Sequence, residues 1–396
     1  MTAPLLFLSN GAGEDSIAAQ IISCLPQDLP RRALPLVGQG DSFKDLAPLV
    51  GPRQSMPSGG LIAQDWRRLG RDLAHGLALL TLRQLSWLRS QRRNFSQLVA
   101  VGDLWPVILG ALSGIRPLTF IGTAKSNYHH PYSRLEAWVL RAFHVYSLVR
   151  DEPTAAHLRR LGVEAQWVGN AMMDGLEPQE LDFHLAEREV GLALFPGSRQ
   201  ATYQVLPRLL RLSTKLAAHL ERPLCGLVAV APSIDLHRLA QACADFQLES
   251  APYPGWSALS PLAPTSPKVR FYLVQGHLAD VLANSQVALG LAGTAHEQAA
   301  GWGLPVVAFE PQGPHNLPWY RFRQQGLLGE ALEVVYDRDS AIIEALARLF
   351  LDPQERQRRG QIGRQRLGPP GGAARMAQII VKRLPEPARL DNPKPQ

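Results

Sequence analysis

The sequence is poor in cysteine. Three of its 396 residues are Cys, at positions 24, 225 and 243, an odd and scattered set without a C-x-x-C pair. That spacing supports neither a disulfide framework nor a zinc ribbon. H-E-x-x-H and H-x-x-x-H pairs are also missing, and His129-His130 runs into Pro131 as a loop feature, so no metal and no cofactor are expected. A G-x-S-x-G nucleophile elbow is absent. No uninterrupted apolar run reaches about 18 residues, which argues against a spanning helix. The opening segment, MTAPLLFLSNGAGED, lacks a basic stretch and reads as a first β-strand, not a signal peptide. A reduced, cytoplasmic compartment is the resulting expectation. Lysine is scarce, at six residues, so arginine carries most of the net charge of +7. That excess is modest for the length, and no RNP-type aromatic motif accompanies it, so nucleic acid is not an expected partner.

What is present is globular. Hydrophobic residues make up 46% and charged residues 19%, and the length suits two domains. Short apolar runs alternate with longer helical patterns, the signature of α/β architecture with parallel strands. In the first half, strands are expected near Leu5–Ser9, Leu34–Val37, Leu98–Val101, Leu118–Ile121, Val145–Leu148 and Gln166–Val168. Helices are expected at Ser16–Cys24 and Pro131–Phe143. Glu177–Glu189 is acidic, lacks a strong apolar period and reads as a linker. A second series follows, with strands at Val190–Phe195, Gly226–Ala231, Val269–Val274, Val287–Leu289, Val306–Phe309 and Leu332–Val335. Val205–Leu220 and Thr294–Trp302 read as helices, and Ser250–Pro267, with five prolines, as a loop. Asp352-Pro353-Gln354-Glu355 orders an N-cap, a first-turn proline and a capping-box glutamate. The expected organisation is therefore a first Rossmann-like domain over 1–175 and a linker over 176–189. A second Rossmann-like domain over 190–366, a terminal helix over 367–384 and a disordered tail over 385–396 complete it. Two such domains facing each other place the ligand beyond the carboxyl ends of the strands.

Three strand-to-helix turns carry possible chemistry. Ser9-Asn10-Gly11-Ala12-Gly13-Glu14-Asp15 offers glycines for close backbone approach and a helix N-terminus for a negative group. It lacks the third glycine of a dinucleotide fingerprint, and the alternative is a tight turn with Asp15 as N-cap. Phe195-Pro196-Gly197-Ser198-Arg199 adds free backbone N–H groups and a guanidinium suited to phosphate oxygens, or is an ordinary turn. Leu291-Ala292-Gly293-Thr294-Ala295-His296-Glu297-Gln298 is the most specific. Gly293 and Thr294 suit a diphosphate, and Glu297 a ribose. Thr294-x-x-Glu297 is equally a capping box, and His296 is more often structural. Asp103, after Leu98–Val101, suits a general base toward a sugar hydroxyl or a cap for the helix from Pro106, and Glu14 competes for the first role.

A basic amphipathic insertion spans 60–93. On a helix, Ile62, Trp66, Leu69, Leu73, Leu77, Leu80 and Leu88 form one stripe, with Arg67, Arg68, Arg71, Arg89, Arg92 and Arg93 mostly opposite. With Trp66 and Trp87 it reads as binding an anionic membrane surface, or the stripe is core and the arginines are solvated.

With these residues in hand, the chain resembles a GT-B glycosyltransferase. More closely, it resembles lipid-A-disaccharide synthase and its cyanobacterial "lipid-A-disaccharide synthase-related" relatives. Leu194-Phe195-Pro196-Gly197-Ser198-Arg199 is similar to that family's L-x-P-G-S-R, and Val168-Gly169-Asn170-Ala171-Met172-Met173-Asp174 to its V-G-H-P-x-x-D. Gly293-Thr294-Ala295 with Glu297, then Gly303-Leu304-Pro305-Val306-Val307, is similar to its donor region. The resemblance implies a GT-B fold and an inverting, metal-independent transfer from a UDP-sugar to a lipid or amphiphilic acceptor at a membrane surface. It implies donor contacts at Gly197, Ser198, Arg199, Gly293, Thr294, Ala295, Glu297 and Gln298, a glycine-rich acceptor loop at Asn10, Gly11 and Gly13, and Asp103 or Glu14 as base. Two rival readings stay open: a non-hydrolysing UDP-sugar 2-epimerase, and a non-catalytic nucleotide or lipid binding protein of the same fold.

Overall fold

The computed structural model describes residues 3–54, 76–197, 200–249, 251, 253, 256–310 and 318–385. The chain divides into two units, Met1–Asp174 with Pro370–Gln396, and Gly175–Pro369. Each is an open α/β sheet.

The first unit has six parallel strands: β1 Leu5–Ser9, β2 Arg31–Pro35, β3 Gln97–Gly102, β4 Leu118–Gly122, β5 Tyr146–Val149 and β6 Ala165–Gln166. Their order is β2-β1-β3-β4-β5-β6. Every residue of β1, β3 and β4 is buried, as expected for strands covered on both faces. Alternation sorts their side chains. Leu6, Leu8, Leu98, Ala100, Leu118 and Phe120 fill one core, while Leu5, Phe7, Val99, Val101 and Ile121 fill the other. The helices are α1 Ala12–Ser23, α2 Leu77–Ser90, α3 Leu104–Ser113, α4 Arg134–Ala142 and α5 Glu152–Arg160. Strand β2 starts three residues earlier than expected. Arg31 and Arg32 look like loop residues, yet they pair with Leu5 and Leu6 of β1, and an edge strand tolerates such charges.

The second unit has eight strands: β7 Val190–Phe195, β8 Leu224–Val230, β9 Phe246–Glu249, β10 Ser257–Pro261, β11 Val269–Gln275, β12 Val287–Gly290, β13 Val306–Phe309 and β14 Leu332–Val335. The order is β14-β13-β12-β7-β8-β11-β10-β9. All pairs are parallel except β9–β10 and β10–β11. The stretch expected as one proline-rich loop thus contains a strand. Proline breaks ladders only where its N–H is needed, and an antiparallel extension at the sheet edge absorbs Pro261 at the strand end. The helices are α6 Thr202–Leu220, α7 Leu236–Gln241, α8 Leu278–Ala283, α9 Thr294–Trp302, α10 Pro318–Leu328, α11 Asp339–Leu351 and α12 Pro353–Leu367. Asp352 caps α12 by accepting from the amides of Gln354 and Glu355. Glu355 turns instead to Arg358 and Arg359. Residues 176–186 form neither helix nor strand. Asp280 ties this stretch down by accepting from the amides of Gln179 and Leu181 at 2.8 and 3.2 Å.

Helix α13 (Gly372–Lys382) belongs to the first unit, where Ala373, Met376, Ala377 and Ile380 join the core containing Phe7 and Val99. Asp174 fixes its start, accepting from the amides of Gly371 and Ala373. Among the described residues no helix is long and apolar enough to cross a membrane. Asp174→Ala removes a cap at a helix N-terminus and is expected to lower stability by about 1–2 kcal/mol, read as a shifted denaturant midpoint. An unchanged midpoint would show that burial alone holds α13.

Candidate functional site

Both sheets reverse their winding once. In the first unit the chain runs from β1 out to β2, then crosses back to begin β3 on the other side of β1. In the second, β7 leads to β8 and β11 on one side, whereas β12 leads to β13 and β14 on the other. The carboxyl ends of the two strands flanking such a reversal are where open α/β sheets bind ligands. The sequence motifs fall at these two places.

In the first unit, β1 leads through Asn10 to α1, capped by Gly11, and β3 leads through Asp103 to α3. The Asp103 carboxylate caps α3, accepting from the Trp105 amide at 2.9 Å. It also accepts from Asn10 Nδ2, which lies 3.4 Å from each oxygen. Glu14 lies in the first turn of α1 and leans on the end of β3. A Cβ at Gly102 would sit 3.0 Å from Glu14 Cγ, and Gly102 has φ +128°, so glycine is required there twice over. Burial pushes Glu14 up to about 7, and the charges of Asp103 and Asp15 add to the effect. Burial also raises Asp103, against the opposing hydrogen bonds from Trp105 and Asn10.

Asn10, Gly11, Glu14 and Asp103 are therefore together. Gly13 is exposed on the first turn of α1, with nothing near the position of a Cβ. The alternative of Asp15 as N-cap is corrected, because α1 starts at Ala12 and puts Asp15 inside the helix. There Asp15 is buried and accepts from Ser9 Oγ at 2.5 Å. The cap reading of Asp103 holds, for a helix that starts at Leu104 and not at Pro106.

In the second unit, the ends of β7 and β12 are neighbours, with the Leu291 amide donating to the Phe195 carbonyl at 2.9 Å. Gly197 follows β7 with φ +109°; Ser198 and Arg199 lie outside the described residues. Gly293 is the N-cap of α9, without a side-chain cap. The capping box expected of Thr294 and Glu297 is accordingly not formed. Thr294 is exposed at the first helical position, and Ala295, Glu297 and Gln298 are partly buried behind it. Gly293 has no room for a side chain, since a Cβ would collide with the Tyr320 hydroxyl. His296 is fully buried, and burial together with the Arg321 charge drives it down to about 3, so it is a neutral structural residue.

Tyr320, Arg321 and Gln324 on α10 pack against this turn without a sequence motif to mark them. Arg-x-x-Gln on a helix looks like a solvated face, and only the fold reveals it as buried. In the insertion, Ile62, Trp66, Arg67, Arg68, Leu69, Arg71 and Leu73 lie outside the described residues. Within α2, Leu80, Gln84 and Leu88 are buried. Trp87 packs partly against the core beside Phe95, a correction to its reading as a membrane-facing residue.

No family model matches this sequence, and none of the curated proteins is similar to it. Solved structures are similar in fold. MurG of Acinetobacter baumannii matches with a TM-score of 0.60 and 15% identity over 96% of this chain and 100% of that one. The calicheamicin glycosyltransferase CalG4 matches at 0.57 and 17% identity, over 97% and 99%. The UDP-GlcNAc 2-epimerase of Neisseria meningitidis, solved bound to UDP-GlcNAc, matches at 0.56 and 14% identity, over 96% and 99%. The two-unit α/β architecture expected from the sequence is thus the fold of this chain.

Glu14 titrates above its unfolded value, so the folded state binds its proton more tightly. That stabilisation is complete below about pH 4.5 and is lost as pH rises toward 7. Glu14→Gln is expected to gain on the native protein over this range, by roughly 1–3 kcal/mol between pH 4 and pH 8. Urea unfolding at both pH values measures it; a constant difference would mean that Glu14 ionises as in water.

Proposed function

We propose that this chain is an inverting, metal-independent glycosyltransferase that moves a sugar from a UDP-sugar to a lipid or amphiphilic acceptor. The observation that carries this reading is that the strand ends at the two winding reversals differ in chemistry, two carboxylates, Glu14 and Asp103, in one unit and an uncapped helix N-terminus at Gly293 in the other. The sequence resemblance to lipid-A-disaccharide synthase and the likeness to MurG, CalG4 and a UDP-GlcNAc-bound epimerase support it.

Gly197, Ser198, Arg199, Gly293, Thr294 and Ala295 would hold the diphosphate, with Glu297 on the ribose and Gln298 beside it. The N-terminus of α9 and Arg199 meet the negative charge that grows as the sugar–phosphate bond breaks. Asp103 is the stronger candidate for base. Two donors hold its carboxylate in one orientation, whereas Glu14 is half protonated near pH 7. Asp103 takes the acceptor hydroxyl's proton, the oxygen bonds to the anomeric carbon, and the electron pair of the broken bond leaves on UDP. Asn10, Gly11 and Gly13 line the acceptor loop in this reading.

Membrane contact rests on exposed apolar side chains beside arginines. Leu79 and Leu82 of α2, Trp105 and Leu112 of α3, and Leu135 and Trp138 of α4 are all exposed. Arg83, Arg89, Arg92, Arg93, Arg134 and Arg141 are exposed nearby in sequence. The enzyme would act in the cytoplasm as a peripheral protein on anionic lipid.

Calorimetry with UDP tests the donor site: Arg199→Ala and Glu297→Ala are each expected to weaken binding roughly tenfold or more, and unchanged affinity in both rejects it. Incubation with nucleotide sugars and membrane extract separates the classes. A transferase releases UDP only when acceptor is present, an epimerase inverts C2 without acceptor, and a binding protein does neither. Asp103→Asn should reduce turnover about 10²–10⁴-fold, with Glu14→Gln milder; the reverse order exchanges their roles. Flotation with anionic vesicles should fall when Leu79 and Leu82 become Ser, or when Arg67, Arg68 and Arg71 are neutralised. Undiminished flotation in both would count against the membrane.

A further inference from the structure

The turn between β12 and α9 is gripped from behind by one cation. Arg321, 7% exposed, sends its guanidinium to the carbonyls of Leu291 at 2.5 Å and Ala292 at 3.1 Å, and to Gln324 Oε1 at 2.8 Å. Gln324 Nε2 in turn donates to the carbonyls of Gly293 at 3.0 Å and Ala292 at 3.3 Å. Three successive carbonyls are therefore engaged on the α10 side. In a trans peptide the C=O and the following N–H point in opposite directions. Fixing the carbonyls of 291, 292 and 293 thus turns the amides of Ala292, Gly293 and Thr294 away from α10. Among the described residues none of these three amides has a hydrogen-bond acceptor.

The cation itself is unusual. No carboxylate among the described residues forms an ion pair with Arg321; Glu310 is near enough only to act through its field. A buried charge without a counter-charge is costly, and a methionine of similar length would fill the space without that cost. His296, which meets Gln324 of the same network, is held neutral and so adds no second positive charge. The missing negative charge is what a diphosphate would bring.

We propose that Arg321 is a positioning residue of the donor site. With Gln324 it aims the amides of residues 292–294 at the diphosphate and sets a fixed positive charge behind them, so that the site selects a charged nucleotide over its neutral nucleoside. This rests on the donor-site reading above. Its guanidinium holds three acceptors from two nitrogens, which a single lysine ammonium reaches less well.

The test compares UDP with uridine in calorimetry. If native protein does not bind UDP, the donor-site reading fails and this inference with it. If native protein binds UDP, Arg321→Gln is expected to weaken UDP about 10–100-fold while leaving uridine within twofold, and Arg321→Lys to recover part of the loss. A purely structural role would lower thermal stability and shift both ligands together, which overturns the proposal. Native protein supplies a readout that needs no variant to fold. UDP should slow hydrogen exchange in a peptide covering 290–297, and uridine should not; UDP binding without that protection also overturns it.

Discussion

Where a parallel sheet reverses its winding, the connections after the two central strands run to opposite sides, and ligands of such sheets bind between them. Both units of this chain are built around one such reversal, at β1/β3 and at β7/β12. Each candidate residue sits within a few positions of one of these four strand ends. Small residues are placed there for space. Gly102 makes way for Glu14, and Gly293 for the Tyr320 hydroxyl. The chemistry of each place follows from what the next helix presents, a carboxylate cap on α3 and an uncapped N-terminus on α9.

Buried charge separates the two places. In the first unit, Glu14, Asp15 and Asp103 crowd together, and burial raises all three. Burial and the neighbouring negative charges favour the protonated form of Glu14, which titrates near 7. In the second unit, the buried cation is Arg321 and the histidine beside it stays neutral. The first place is thus a cluster of buried carboxyls and the second a buried cation. The transfer proposed above would use both, the carboxyls toward the acceptor's proton and the cation toward the leaving diphosphate.

Strand positions were legible because buried parallel strands are short apolar runs. Leu5–Ser9, Val190–Phe195, Val306–Phe309 and Leu332–Val335 are found as read. The motifs were legible because glycine after such a run marks a turn. What escaped depends on partners remote in sequence. Arg31 and Arg32 are strand residues only because β1 lies beside them. Ser257–Pro261 is a strand only because β9 and β11 offer ladders on either side. Asp15 looks like a cap until Ser9 claims its carboxylate. Arg321 and Gln324 lie about 30 residues from the carbonyls they hold, and no local pattern reports that distance.

The basic helix α2 shows why one stripe does not decide between core and membrane. At about 100° per residue, Leu80, Gln84 and Leu88 share one side, and they are the buried residues. Leu79, Leu82, Arg83 and Arg89 point elsewhere on the same circle, and all are exposed. Within the described part of the stripe, Leu80 and Leu88 belong to the core, and Trp87 is partly buried beside them. The leucines left outside are off that period, so packing within the first unit does not account for them. Apolar side chains set among arginines, with no demand from the core, are what a lipid surface recognises. The membrane contact proposed above would therefore be made by the residues that break the helix's pattern and not by those that make it.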